Sequence, residues 1–164
     1  MEPTELLRII SRGEDGANQF KADFRNVDSL AAEMVAFSNS GGGRIFIGVA
    51  NDGQIAGLTR ADMGRINQLV SNAASQSVRP PINPRTENVA CPNGLIMIVT
   101  IPSGISKPYM DNNGAIWVKS GSDKRKVTSR EEIQRMYQSA SLIHGDEVPA
   151  NGMTLGDLDM DYFR

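Results

Sequence analysis

The chain has 164 residues, 40% of them apolar, and its 17 basic and 19 acidic side chains leave a formal net charge of −2. That length is one domain with a core large enough to need no staple, and a lone cysteine, Cys91, with a lone histidine, His144, excludes a disulfide framework and a zinc site. No stretch approaches the roughly 18 consecutive apolar residues of a membrane span, and the start lacks a basic region followed by an apolar run, so a cytoplasmic protein with no membrane partner is expected.

Leu6, Leu7, Ile9 and Ile10 recur at helical spacing over Thr4–Arg12, and Gly13 closes that first helix. The chain then passes through a loop into a strand with Phe20 facing inward. Asn26 predicts the N-cap of a helix running to about Asn39, with Val27, Leu30, Ala31, Met34, Val35 and Phe37 on its buried face. Gly41, Gly42 and Gly43 follow, and then a short apolar strand, Arg44–Val49. A phosphate-cradling glycine loop has the opposite order, strand before glycines before helix. At a helix C-terminus the exposed carbonyls repel phosphate, so the triplet reads as a C-cap and tight turn. Asn51–Asp52–Gly53 predicts a hairpin turn, with a return strand near Gln54–Leu58.

Thr59 with Asp62 predicts a capping-box start to a third helix carrying Met63, Ile66, Leu69, Val70 and Ala73, ending before Arg79–Pro80–Pro81. Two strands follow, Ile82–Cys91 and Leu95–Ile101, joined by a turn at Cys91–Gly94. The second is apolar on both faces, which predicts a central strand covered on both sides. Lys107–Met110, a turn at Asp111–Gly114 and Ala115–Lys119 read as another hairpin. Ser129 with Glu132 predicts the start of a last helix bearing Ile133, Met136, Tyr137 and Ala140. The expected fold is α/β of the α+β type: a single domain over residues 1–143, with a mixed, largely antiparallel sheet packed by about four helices. Residues 144–164 read as an acidic tail or a linker to a further C-terminal region.

Charge is distributed unevenly. From Lys107 to Arg135 seven basic residues face four acidic ones, whereas Leu142–Arg164 carries five acidic and one basic. Lys119, Lys124, Arg125 and Lys126 surround the Gly121–Ser122–Asp123 turn, flanked by Lys107 and Arg130. Such a cluster suits phosphate backbones. Arg44 joins it if its side chain reaches the same face, and Tyr109 and Trp117 offer stacking surfaces for single strands. The same spacing also describes a solvated hairpin tip above core aromatics. No Gly-x-Ser-x-Gly elbow or Gly-x-x-x-x-Gly-Lys loop is present, so hydrolase and ATPase readings find no support.

The run from Ala36 to Leu58, AFSNSGGGRIFIGVANDGQIAGL, is followed in order by Lys107–Pro108–Tyr109, Trp117–Ser122 and the Thr128–Ile133 helix start. Together these blocks resemble the Schlafen AlbA-type domain family over about residues 5–143. The resemblance implies a DNA-binding module of a bacterial transcriptional regulator or RecG-like protein, often followed by further C-terminal domains. It also implies where a nuclease site would lie, because in ribonuclease relatives two glutamates and an aspartate hold a divalent cation. Here Glu14 matches the first position, Gln19 stands where the second glutamate belongs, and Ala50 stands where the aspartate is usual, with Asp52 nearby in the turn. Three functions follow: a non-catalytic binder of nucleic acid, expected to be DNA, without a cofactor; an interaction module forming a homodimer; or a ribonuclease using Mg²⁺ or Mn²⁺ at Glu14 and Asp52.

Overall fold

The structure, a computed structural model, describes residues 1–145. Met1–Val127 forms one compact unit, and a second unit begins at Thr128. The tail expected from 144 onward lies outside the described residues from 146 on.

Helix α1, Pro3–Arg12, stops at Gly13, which takes φ 83° and donates its N–H to Ile10 O at 3.0 Å. Leu6, Ile9 and Ile10 are its buried face, while Leu7 of the expected apolar set points to solvent. Strand β1 (Asn18–Lys21), helix α2 (Val27–Asn39) and strand β2 (Gly43–Ile47) then form a crossover unit, because β1 and β2 pair in parallel. The cap at Asn26 is as the sequence predicts: its Oδ1 accepts the N–H groups of Asp28 at 2.8 Å and Ser29 at 3.2 Å. Every residue of α2 from Leu30 to Asn39 is buried. A helix apolar nearly all round belongs in a core rather than on a surface.

Helix α3 (Arg60–Asn72) opens with the Thr59–Asp62 capping box, both hydrogen bonds measuring 3.1 Å, and runs on into a π-helical turn at Ala73–Ser77. Four strands come next: β3 (Val78–Arg79), β4 (Arg85–Cys91), β5 (Gly94–Ile101) and β6 (Met110–Asp111). The hairpin strands β7 (Ile116–Ser120) and β8 (Asp123–Val127) close the first unit. Helix α4 (Arg130–Gly145) belongs to the second and begins with Glu132 N–H on Ser129 Oγ at 3.2 Å. No helix among the described residues is long and apolar enough to cross a membrane.

The main sheet has four strands in the order β1-β2-β5-β4, with every pairing but β1 to β2 antiparallel. Strand β5 is central, as its doubly apolar pattern predicts. Met97, Val99 and Ile101 join Ile45 and Ile47 in the core under α2 and α3, while Ile96 and Ile98 join Phe20 and Phe46 against α1. The domain is thus α+β, its sheet covered by α1 on one face and by α2 with α3 on the other.

Two predicted hairpins are corrected. After the turn at Asn51–Gly53 there is no return strand, only isolated bridges from Val49 to Ile55 and from Leu58 to Leu95. Both edges of β2 are already taken, by β1 and β5, so nothing remains for a returning strand to pair with. The Asp111–Ala115 turn forms, but Met110–Asp111 pairs with Val78–Arg79, and the strand at Ile116–Ser120 pairs forward with Asp123–Val127 instead.

Candidate nucleic-acid interface

The β7–β8 ribbon is built on the Gly121–Ser122 loop, where Gly121 supplies the positive φ, 63°, that a two-residue hairpin loop demands at its first position. Register then decides which charges share a face. Trp117 pairs with Lys126 and Lys119 with Lys124, whereas Val118 pairs with Arg125 and Ile116 with Val127. Side chains alternate along a strand, so Trp117, Lys119, Lys124 and Lys126 lie on one face and Arg125 on the other. The three consecutive basic residues of the sequence are therefore divided two to one.

The lysine face turns toward α2. Lys124 Nζ meets Glu33 Oε2 at 3.0 Å, and Glu33, in the middle of α2, is only 3% exposed. Lys119 Nζ sits 4.7 Å from the Phe37 ring centre and donates to Gln19 Oε1 at 3.0 Å and Ser122 O at 3.1 Å. Burial holds its ammonium below the ordinary lysine range, against the pull of the Glu33 and Glu14 carboxylates. Lys124 and Lys126 place their ammonium groups 5.5 and 5.4 Å from the Trp117 ring centre. Arg125 and Lys126 are exposed and Lys124 is partly so.

Two consecutive residues at the end of α2 fix the ribbon in place. Asn39 Nδ2 donates to Tyr109 O at 2.9 Å and to Trp117 O at 2.8 Å, and its Oδ1 accepts the Tyr109 N–H at 2.6 Å. Ser40 Oγ accepts the Lys119 N–H at 3.0 Å, and its carbonyl accepts Ser103 Oγ and Lys107 Nζ, each at 3.0 Å. The glycines that follow are structural. Gly42 has φ 77°, donates to Phe37 O at 2.9 Å, and would bring a Cβ within 2.8 Å of Ile101 O.

Several expected site residues stand elsewhere. Arg44 shares its face of β2 with Phe46, 5.6 Å from that ring, on the α1 side of the sheet and away from the ribbon. Lys107 lies on the carbonyl end of α2, where a cation complements the helix dipole. Tyr109 is 5% exposed with its hydroxyl accepting Ser106 N–H at 3.2 Å, so it offers no stacking surface. Trp117 packs against the core, and its Nε1 donates to Asp111 Oδ2 at 3.0 Å.

The acidic candidates have local tasks. Glu14 Oε2 accepts the Phe20 N–H at 2.8 Å, and Asp52 Oδ1 accepts the Gln54 N–H at 3.0 Å. Among the described residues no three of His, Cys, Asp and Glu stand close enough to hold a metal ion. With Gln19 bonded to Lys119 and Ala50 beyond β2, these residues do not fit a divalent cation. Glu33, Asn39 and Ser40 were missed by pattern reading. The signal for Glu33 is in plain sight, a single charge inside the apolar run from Leu30 to Phe37.

A sheet crossed by one enclosed helix, with a cationic ribbon latched to that helix's end, defines an α+β domain whose distinctive surface is the ribbon. Residues 14–128 match the family described as Schlafen, AlbA_2, and the chain belongs to that family. No curated protein matches it. Among solved structures it is similar to the DIP2311 protein from Corynebacterium diphtheriae, at 20% identity and a TM-score of 0.59, over 84% of this chain and 31% of that one. The chain thus spans about a third of the length of that protein. It is also similar to the N-terminal domain of an ATP-dependent DNA helicase RecG-related protein from Nitrosomonas europaea, solved in solution. There the identity is 19% and the TM-score 0.49, over 79% of this chain and 96% of that one.

Proposed function

We propose that this domain binds nucleic acid, DNA foremost, through backbone phosphates laid along the β7–β8 ribbon, and that it does so without cutting it. One observation carries the reading: Arg125 and Lys126 are adjacent and exposed on β8, with the partly buried Lys124 and Lys119 on the Lys126 face of the same short ribbon. A net charge of −2 gives no general attraction for polyanions, so contact must be confined to such a local concentration of cations. The family resemblance supports DNA as the ligand and a bacterial regulator in the cytoplasm as the setting. Because the Trp117 ring is occupied by lysines and Tyr109 is buried, the contact is with phosphate rather than with unstacked bases.

Titration of labelled duplex and single-stranded oligonucleotides at several salt concentrations tests this. Reversing Arg125 and Lys126 to glutamate is expected to weaken binding by at least tenfold and to flatten the dependence of log K on log salt. Unchanged affinity removes the ribbon from the function. Cleavage of RNA in Mn²⁺ that is lost in Glu14→Ala replaces the reading with a nuclease.

A further inference from the structure

The buried carboxylate of Glu33 has no role in the contact just described, yet it lies directly beneath it. It projects from the most enclosed helix of the domain, 3% exposed, and its Oε2 takes Lys124 Nζ at 3.0 Å. Its other oxygen, Oε1, is buried with no hydrogen-bond partner. The Lys124 side chain is 29% exposed, so its stem reaches the surface while its charge is turned inward. Lys119, on the same face, also feels the Glu33 charge.

We infer that Glu33 is an internal rival of phosphate for Lys124, and so sets how many charges the ribbon can offer a polyanion. If Lys124 turned outward to a phosphate, Glu33 would be left buried without a counter-ion, which is the unfavourable way to break a buried pair. A phosphate on the outside cannot follow the lysine inward to Glu33. Lys124 is therefore retained by the protein, and of the three lysines on this face Lys126 is the exposed one. Glutamine at position 33 keeps the shape and removes the charge. The lysine is then free to swing out, and the ribbon gains one phosphate contact. This inference rests on the nucleic-acid reading above and specifies which cations serve it.

The test measures duplex affinity between 50 and 200 mM salt, where each neutralised phosphate contributes about −0.9 to the slope. In the native background, Lys124→Gln is expected to leave the slope unchanged, whereas Lys126→Gln flattens it by about 0.9. Glu33→Gln is expected to steepen the slope by about 0.9 and to tighten binding at 50 mM salt severalfold, and adding Lys124→Gln to it restores the native slope. A native slope flattened by Lys124→Gln, or a folded Glu33→Gln protein with the native slope, overturns the inference. Amine acylation read by mass spectrometry examines the hold itself without nucleic acid. Lys124 is expected to acylate several times more slowly than Lys126 in the native protein and at a similar rate in Glu33→Gln; equal native rates overturn the inference. If neither protein binds duplex while Lys124 is protected, the binding reading fails and the ion-pair hold stands.

Discussion

Asn39 joins parts of the chain that are 70 and 78 positions away, through three hydrogen bonds made by one buried amide. Removing that amide strands two buried carbonyls and one N–H, and each stranded group costs about 1–3 kcal/mol. Asn39→Ala is expected to destabilise the domain by about 3 kcal/mol or more in urea unfolding. Asn39→Asp is expected to be worse, because it sets a carboxylate oxygen against the Tyr109 and Trp117 carbonyls. Equal stability of native and variant would mean the amide is dispensable. Lys119 gives a prediction with a sign. Burial lowers its proton affinity in the folded state only, so the folded protein releases that proton at a pH where the unfolded chain still holds it. The unfolded state then binds more protons, and stability rises with pH in the interval below the ordinary lysine value of 10.5. Lys119→Met is expected to abolish that rise when urea unfolding is compared from pH 8 to about 10.5.

At the scale of elements, local chemistry was legible wherever a cap or a period decided the outcome. The Asn26 cap, the Thr59–Asp62 box and the doubly apolar β5 all stand where their residues predict. Strand pairing was not legible, because a sequence records which residues suit a strand but not which edges are already filled. The return strand expected at Gln54–Leu58 has no free edge of β2 to join. The glycine triplet separates into distinct tasks that composition conceals. Gly41 has no neighbour within 4 Å of an added Cβ, whereas Gly42 combines φ 77° with a backbone oxygen 2.8 Å away. Gly41→Ala is therefore expected to lie within about 0.5 kcal/mol of native stability, while Gly42→Ala loses about 2 kcal/mol or more from strain and collision together. Thermal unfolding of the two variants side by side settles the comparison.

Across the whole molecule, the candidate site was half visible in the sequence. Lys119, Lys124, Arg125 and Lys126 cluster around one turn in the sequence, and in the structure they lie on one two-stranded ribbon. Their orientation depended on register, and the partners of Lys119 and Lys124 come from β1 and α2, about a hundred residues earlier. Arg44 shows the same limit from the other side. It is expected to join the cluster if its side chain reaches the same face, yet that side chain belongs to the α1 face of the sheet.

Among the described residues the ribbon shares no ladder with the four-stranded sheet, and its two strands pair only with each other. Changing the exposed residues at its tip alters no register in the core, and Asn39 and Ser40 hold its first strand through main-chain atoms that such changes leave in place. The fold is in this sense a fixed chassis with an interchangeable fitting. Relatives can differ in the charges their ribbons carry while the folding problem each must solve stays the same.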